Sequence, residues 1–168
     1  IKHRGPDNIG HVIGKNYYLG HSRLSIQDLS EHANQPMLSR DGKSILIFNG
    51  EIYNHSELRK NFLGELDFSS SGDTETLIYG LKKYGSEFIK KLNGIFAFCF
   101  FDLEKGDFII SKDHFGVKPL YYYLGKNEIC FSSELKAILP FSKSSKTINE
   151  KSLKNYINFL YSPGDGTP

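Results

Sequence analysis

The chain has 168 residues, of which 21 are basic and 19 acidic, for a net charge of +2, and 39% are hydrophobic. That suffices for a sizeable core without disulfide staples, and the charge is too evenly balanced to mark a surface for nucleic acid or acidic membrane. No run of 18 apolar residues occurs, which excludes a helix that spans a bilayer.

The length suits one domain, or one domain and the beginning of another. "IGHVI" (9–13) and "YYLGHSRLSI" (17–26) read as strands of a hairpin turning at Gly14-Lys15-Asn16. Residues 27–42 read as a polar loop. "KSILIF" (43–48) is a strand signal that meets Asn49-Gly50-Glu51, read as a bend because Asn-Gly is the strongest two-residue turn signal. A helix is predicted over 55–63, with Asn54 as N-cap and Glu57 as its capping-box partner. "LDFSS" (66–70) is a short strand candidate. The spacing of Leu77, Ile78, Leu81 and Tyr84 predicts a helix over 74–84 that stops at Gly85, and a second helical stretch follows at 86–92.

"GIFAFCFFDL" (94–103) is apolar nearly throughout, which predicts a strand buried on both faces. Glu104 to Asp107 turns the chain back into "FIISKD" (108–113). "LYYYL" (120–124) and "EICFS" (128–132) form another hairpin. "SELKAIL" (133–139) is a short helix, 149–160 a last one, and "SPGDGTP" (162–168) a connector. Strands, mostly in hairpins, dominate over interspersed helices. This is an α+β layered domain, and its sheets must be sandwiched because 94–103 has no polar face.

Cys99 and Cys130 lie in apolar strand patterns without C-x-x-C spacing, as two buried thiols would in a reducing, cytosolic compartment. His3, His11, His21, His32, His55 and His114 show no ligand spacing, so no metal site is expected. "GHVIGK" (10–15) lacks the spacing of a phosphate loop. Taken singly, Arg23 reads as a surface arginine, Glu51 as an exposed carboxylate and Asp73 as a helix N-cap. Taken together they suit a free amino acid. A guanidinium matches its carboxylate with two parallel hydrogen bonds, and side-chain carboxylates match its ammonium, which is costly to bury unpaired. Between them the Asn49 amide and the Gly50 backbone N–H offer two adjacent donors to a developing oxyanion.

Seven ordered blocks then carry a resemblance: "HRGPD" (3–7), "HSRLSIQDL" (21–29), "FNGEIYNHSELR" (48–59), "SGDTETLIYGLKKYG" (71–85), "LNGIFAFCFFD" (92–102), "KDHFGVKPLYYY" (112–123) and "SSELKAIL" (132–139). Together they resemble the glutaminase domain of glutamine-dependent asparagine synthetases and related amidotransferases. The resemblance implies a four-layer αββα sandwich of the N-terminal-nucleophile type over residues 1–140, with 141–168 as a terminal helix and linker. It implies hydrolysis of L-glutamine to glutamate and ammonia, without a cofactor in this domain. ATP and Mg would serve a C-terminal synthetase domain that amidates aspartate, and a homodimer is compatible with it. Arg23 would hold the glutamine α-carboxylate, with the Ile26 and Gln27 backbone lining the pocket. Asn49 and Gly50 would form the oxyanion hole, and Glu51 and Asp73 would hold the α-ammonium.

The departures are specific. The family's nucleophile is a cysteine exposed as residue one after Met removal, several dozen residues ahead of "HRGPD", and this chain, which starts at Ile1, has none there. These 168 residues alone are therefore expected to be inactive. Lys112 stands where the family usually has arginine, and Gln27 where an apolar residue is common. The amide acceptor, aspartate or a sugar or another carboxylate, is not legible. A binding module that keeps the pocket without the chemistry is the alternative reading.

Overall fold

Alternating apolar residues early in the chain fold as predicted into a hairpin, β1 (Asn8–Ile13) against β2 (Tyr18–Arg23). The computed structural model describes residues 1–24, 33–142, 147–164 and 166–168. They fall into two compact units, Ile1–Ile138 and Leu139–Pro168.

The first unit is organised by a four-stranded antiparallel sheet. Its strands β3 (Met37–Leu38), β4 (Ser44–Ile52), β5 (Gly94–Asp102) and β6 (Asp107–Lys112) lie side by side in that order. Strand side chains alternate between faces, and both faces are covered. Leu46, Phe48 and Ile52 of β4 and Phe96, Phe98 and Phe100 of β5 point to one face. There they meet Leu58 of α1 (His55–Phe62), Leu77, Ile78 and Leu81 of α2 (Asp73–Tyr84), and Phe88 of the 3-10 helix Gly85–Lys91. Ile45 and Cys99 point to the other face, where they pack with Leu19 of β2 and with the flanking Val12, Tyr17 and Phe131. Phe131 belongs to a second hairpin, β7 (Tyr121–Leu124) with β8 (Ile129–Ser132), and the short α3 (Leu135–Ile138) touches both of its strands. The α+β class, the antiparallel sheets and the doubly buried β5 are those the sequence predicts. Each fully covered Leu, Ile or Phe contributes about 1.5–3 kcal/mol of burial, so this central sheet is the rigid floor on which any site rests.

The structure corrects several local readings. Asn49-Gly50-Glu51 is no bend: β4 runs on through it, with Asn49 opposite Ala97, Gly50 opposite Phe96 and Glu51 opposite Ile95. The long partner β5 overrides the local turn preference. Asn54 precedes α1 but its side chain makes no capping bond. Its Nδ2 instead donates to the Lys91 carbonyl (2.9 Å), and its Oδ1 accepts from the Asn93 N–H (3.0 Å). It thereby ties the start of α1 to the segment that feeds β5. Gly72, rather than Asp73, is the N-cap of α2, and Asp73 is its first helical residue. Residues 66–70 form no strand. Cys99 is buried as expected, while Cys130 is only half-buried.

In the second unit α4 (Glu150–Phe159) is capped by Asn149, whose side chain accepts from the Ser152 N–H at 3.1 Å.

Candidate active site

β3 is only two residues long and pairs with Ile45 and Leu46 alone. Beyond it, one edge of β4 has no strand partner among the described residues, and in an antiparallel strand every second residue sends both its N–H and its C=O to the same edge. The chain fills that edge with side chains. The Phe48 N–H donates to Gln35 Oε1 (2.6 Å), and His21 Nε2 lies 3.1 Å from the Phe48 carbonyl, to which it donates. Two residues further than Gly50, the Ile52 N–H donates to Asp73 Oδ2 at 2.8 Å. Alternation therefore puts the Gly50 N–H on the same open edge, between two anchored neighbours. The odd-numbered side chains Asn49 and Glu51 fall on the face shared with Ile45 and Ile47.

That face borders a cavity of about 350 Å³. Arg23, Asn49, Gly50, Glu51 and Asp73 all line it. Five residues spread over 51 positions of sequence thus converge on one space, while Ile26 and Gln27 lie outside the described residues. Arg23 is buried at the end of β2, and its Nη1 donates to Asn34 Oδ1 at 2.7 Å. The Asn49 carboxamide and the Glu51 carboxylate make no hydrogen bond or ion pair with another side chain or backbone group among the described residues. Cys99 also lines the cavity, from the β5 side, but burial pushes its thiol up to about 12, so it stays protonated and unreactive at neutral pH.

Gly50 is the one position in β4 that only glycine can fill. Its φ is +150°, and a Cβ there would sit 2.0 Å from the Ile95 carbonyl oxygen and 2.7 Å from the Phe96 Cα.

Several residues with evident roles escaped the sequence reading. Gln35 and His21 fix both polar groups of Phe48, the residue before Asn49. Burial holds the His21 imidazole below its ordinary pKa, so at neutral pH it is uncharged beside Arg23. Asp113, buried at the end of β6, accepts N–H bonds from Phe96, Phe115, Val117 and Lys118 and so shapes the segment that brings Lys118 to the cavity wall. The motif blocks contain His21 and Asp113 but not Gln35, and no local signal marked any of the three, since each partner lies far away in sequence or in a loop.

Burial raises the Asp73 carboxyl above its ordinary value, against the opposing bond from Ile52. Between the ordinary value and the raised one the folded chain holds more protons than the unfolded chain, so stability falls as pH rises through that window and stays lower above it. Asp73→Asn keeps an acceptor for Ile52 and removes the buried charge. We expect it to raise the melting temperature at neutral pH and to flatten the fall in stability on the alkaline side of the ordinary carboxylate pKa. Thermal denaturation as a function of pH checks this, and an unchanged profile would contradict it.

The described residues form an α+β domain of antiparallel sheets with a guanidinium, two carboxylates and an Asn–Gly pair around one cavity. Glutamine phosphoribosylpyrophosphate amidotransferase from B. subtilis shares this fold, with a TM-score of 0.59 over 72% of this chain and 28% of that one at 23% identity. The chain belongs to the glutamine amidotransferase domain family, whose sequence profile matches residues 1–168. A relative from Methanocaldococcus jannaschii, provisionally named asparagine synthetase [glutamine-hydrolyzing] 2, is 43% identical over 97% of this chain and 36% of its own length. Asparagine synthetase B [glutamine-hydrolyzing] of Escherichia coli is 37% identical over 87% of this chain and 26% of its own length. The chain thus spans between about a quarter and about a third of these relatives.

Proposed function

We propose that the cavity is a glutaminase site serving a glutamine-hydrolysing asparagine synthetase. The observation that carries this is the convergence of Arg23, Asn49, Gly50, Glu51 and Asp73 on a single cavity. Arg23 pairs with the α-carboxylate of L-glutamine, and Glu51 and Asp73 pair with its α-ammonium. This leaves the side-chain carboxamide beside Asn49 and Gly50. A thiolate attacks the carboxamide carbon, and the oxygen takes up the negative charge, stabilised by the Asn49 Nδ2–H and the Gly50 N–H. The proton given up by the thiol passes to the amide nitrogen, so collapse expels ammonia and leaves a thioester, which water hydrolyses to glutamate, returning the free thiol.

The thiolate is supplied from outside these 168 residues. Cys99 is held protonated in an apolar setting, and Cys130 is half-buried in a strand with its thiol pKa raised by burial. Ile1 and Arg4 line the same cavity. The names of the relatives, glutamine-hydrolysing asparagine synthetases, support use of the ammonia in asparagine synthesis; an ATP- and Mg-dependent synthetase domain that amidates aspartate completes the proposal. Two unpaired cysteines suit a reducing, cytoplasmic setting. No described helix is long and apolar enough to cross a membrane.

Two experiments test the reading. The 168 residues alone are expected to release no ammonia from glutamine above background, because loss of a covalent nucleophile costs on the order of 10⁶ in turnover; saturable turnover would refute this. In the parent protein, Arg23→Ala is expected to raise the glutamine KM by about 10- to 100-fold, the scale of a lost charge-assisted hydrogen bond. Ammonia-dependent synthesis should be unaffected. An unchanged KM would remove Arg23 from the carboxylate clamp.

A further inference from the structure

Arg59 lies outside the cavity, yet it holds the segment that delivers Asp73 to it. It sits on α1, and its guanidinium is spent on three separate groups. Nε donates to Thr76 Oγ1 (2.6 Å), Nη1 to the Ser70 carbonyl (2.9 Å), and Nη2 to the Gly72 carbonyl. The guanidinium carbon Cζ lies over the Phe68 ring, 3.9 Å from its centroid. Gly72 and Thr76 flank Asp73 in sequence, so the same cation grips the chain on both sides of that carboxylate. The N–H groups of the segment are held by an anion: Glu75 accepts from Ser69 N (3.1 Å), Ser70 N (2.7 Å) and Ser70 Oγ (2.9 Å). Asp73 in turn takes the Ile52 N–H of β4, the strand that carries Asn49, Gly50 and Glu51. A continuous set of bonds therefore runs from α1 through Arg59 to Asp73 and on to β4.

We infer that Arg59 is a positioning residue for recognition of the substrate's α-amino group, acting through Asp73. The inference rests on the glutaminase reading of the cavity. A planar fork with divergent donors is required, because a lysine ammonium on a flexible stem cannot reach two carbonyls and a hydroxyl while sitting over a ring. Arg59→Lys keeps the charge and discards the geometry. Its effect falls on the ammonium half of the site and spares the carboxylate and carboxamide halves, which are built on β2 and β4.

The test compares two substrates in the parent protein: L-glutamine, and 4-carbamoylbutanoate, which is glutamine without its α-amino group. Ammonia release is measured for wild type and Arg59→Lys. The expected result is a rise in the glutamine KM of about tenfold, the scale of a weakened charge-assisted contact. The KM for 4-carbamoylbutanoate and the kcat for glutamine should stay within about twofold of wild type, inside the spread of surface-type changes. A rise of the same size for both substrates, or no change for either, overturns the inference and leaves the glutaminase reading standing. Wild-type protein that releases no ammonia from glutamine overturns both. Should Arg59→Lys not fold, Phe68→Leu, which removes only the ring under the guanidinium, must narrow the preference for glutamine in the same direction. A folded Phe68→Leu protein with the wild-type preference overturns the inference.

Discussion

Asn49→Ala is expected to lower glutamine turnover in the parent protein by about 10²- to 10³-fold, the cost of one oxyanion donor, while ammonia-dependent synthesis continues at the wild-type rate. The reason is the construction of β4. Asn49 is half-buried on the cavity face, and its side chain has no other bond to make among the described residues. Its backbone is fixed by Phe48, whose N–H and C=O are both held by side chains, so the carboxamide is carried on a part of the strand that cannot drift. A donor held this way needs little reorganisation when charge develops on the substrate oxygen, and deleting it leaves the fold alone. The KM should move far less than kcat. Steady-state kinetics with glutamine and with ammonia as nitrogen donors separate the cases: an equal loss of both activities would make Asn49 structural.

Gly50→Ala is expected to damage the fold itself. The new methyl group would meet the Ile95 carbonyl oxygen at 2.0 Å, and that oxygen is backbone within the β4–β5 pairing, one pair in from its end. Relief requires the two strands to part, and the φ of +150° adds strain to any side chain. Overpacking and backbone strain together amount to about 3–5 kcal/mol, which for a chain of this size lowers the melting temperature by roughly 10 °C. Differential scanning calorimetry measures it, and a change within about 2 °C, less than a single kcal/mol produces, would show that the strand adapts. Glutaminase activity is expected to fall as well, because the N–H of residue 50 sits at the point of greatest displacement.

Much of this architecture is written locally. Alternation in 9–13 and 17–26, the unbroken apolar run of β5, and the helical spacing of Leu77, Ile78 and Leu81 each specify their element from a few adjacent residues, and the structure follows them. The chemical logic of a zwitterion also points to Arg23, Asn49, Gly50, Glu51 and Asp73 from the sequence, and all five border one cavity. The readings that failed did so where a distant partner outweighs a local preference. Asn49-Gly50 favours a turn in isolation, but nine residues of β5 hold it extended. Asn54 favours a cap, but the segment at 91–93 takes both ends of its amide. Gln35, His21, Arg59 and Asp113 carry no local signal of what they do, since their work is to satisfy backbone groups that only the folded chain presents.

The central claim is that one cavity holds an amino acid between Arg23 and the carboxylates of Glu51 and Asp73, with the carboxamide against Asn49 and Gly50. Titration of L-glutamine into the ¹⁵N-labelled protein, followed by two-dimensional NMR, tests it most directly. Saturable shifts should concentrate at the Gly50 amide, the Asn49 side-chain amide and the Arg23 Nε–H, with one common dissociation constant. Saturable shifts that map to another surface while those three signals stay still would contradict it.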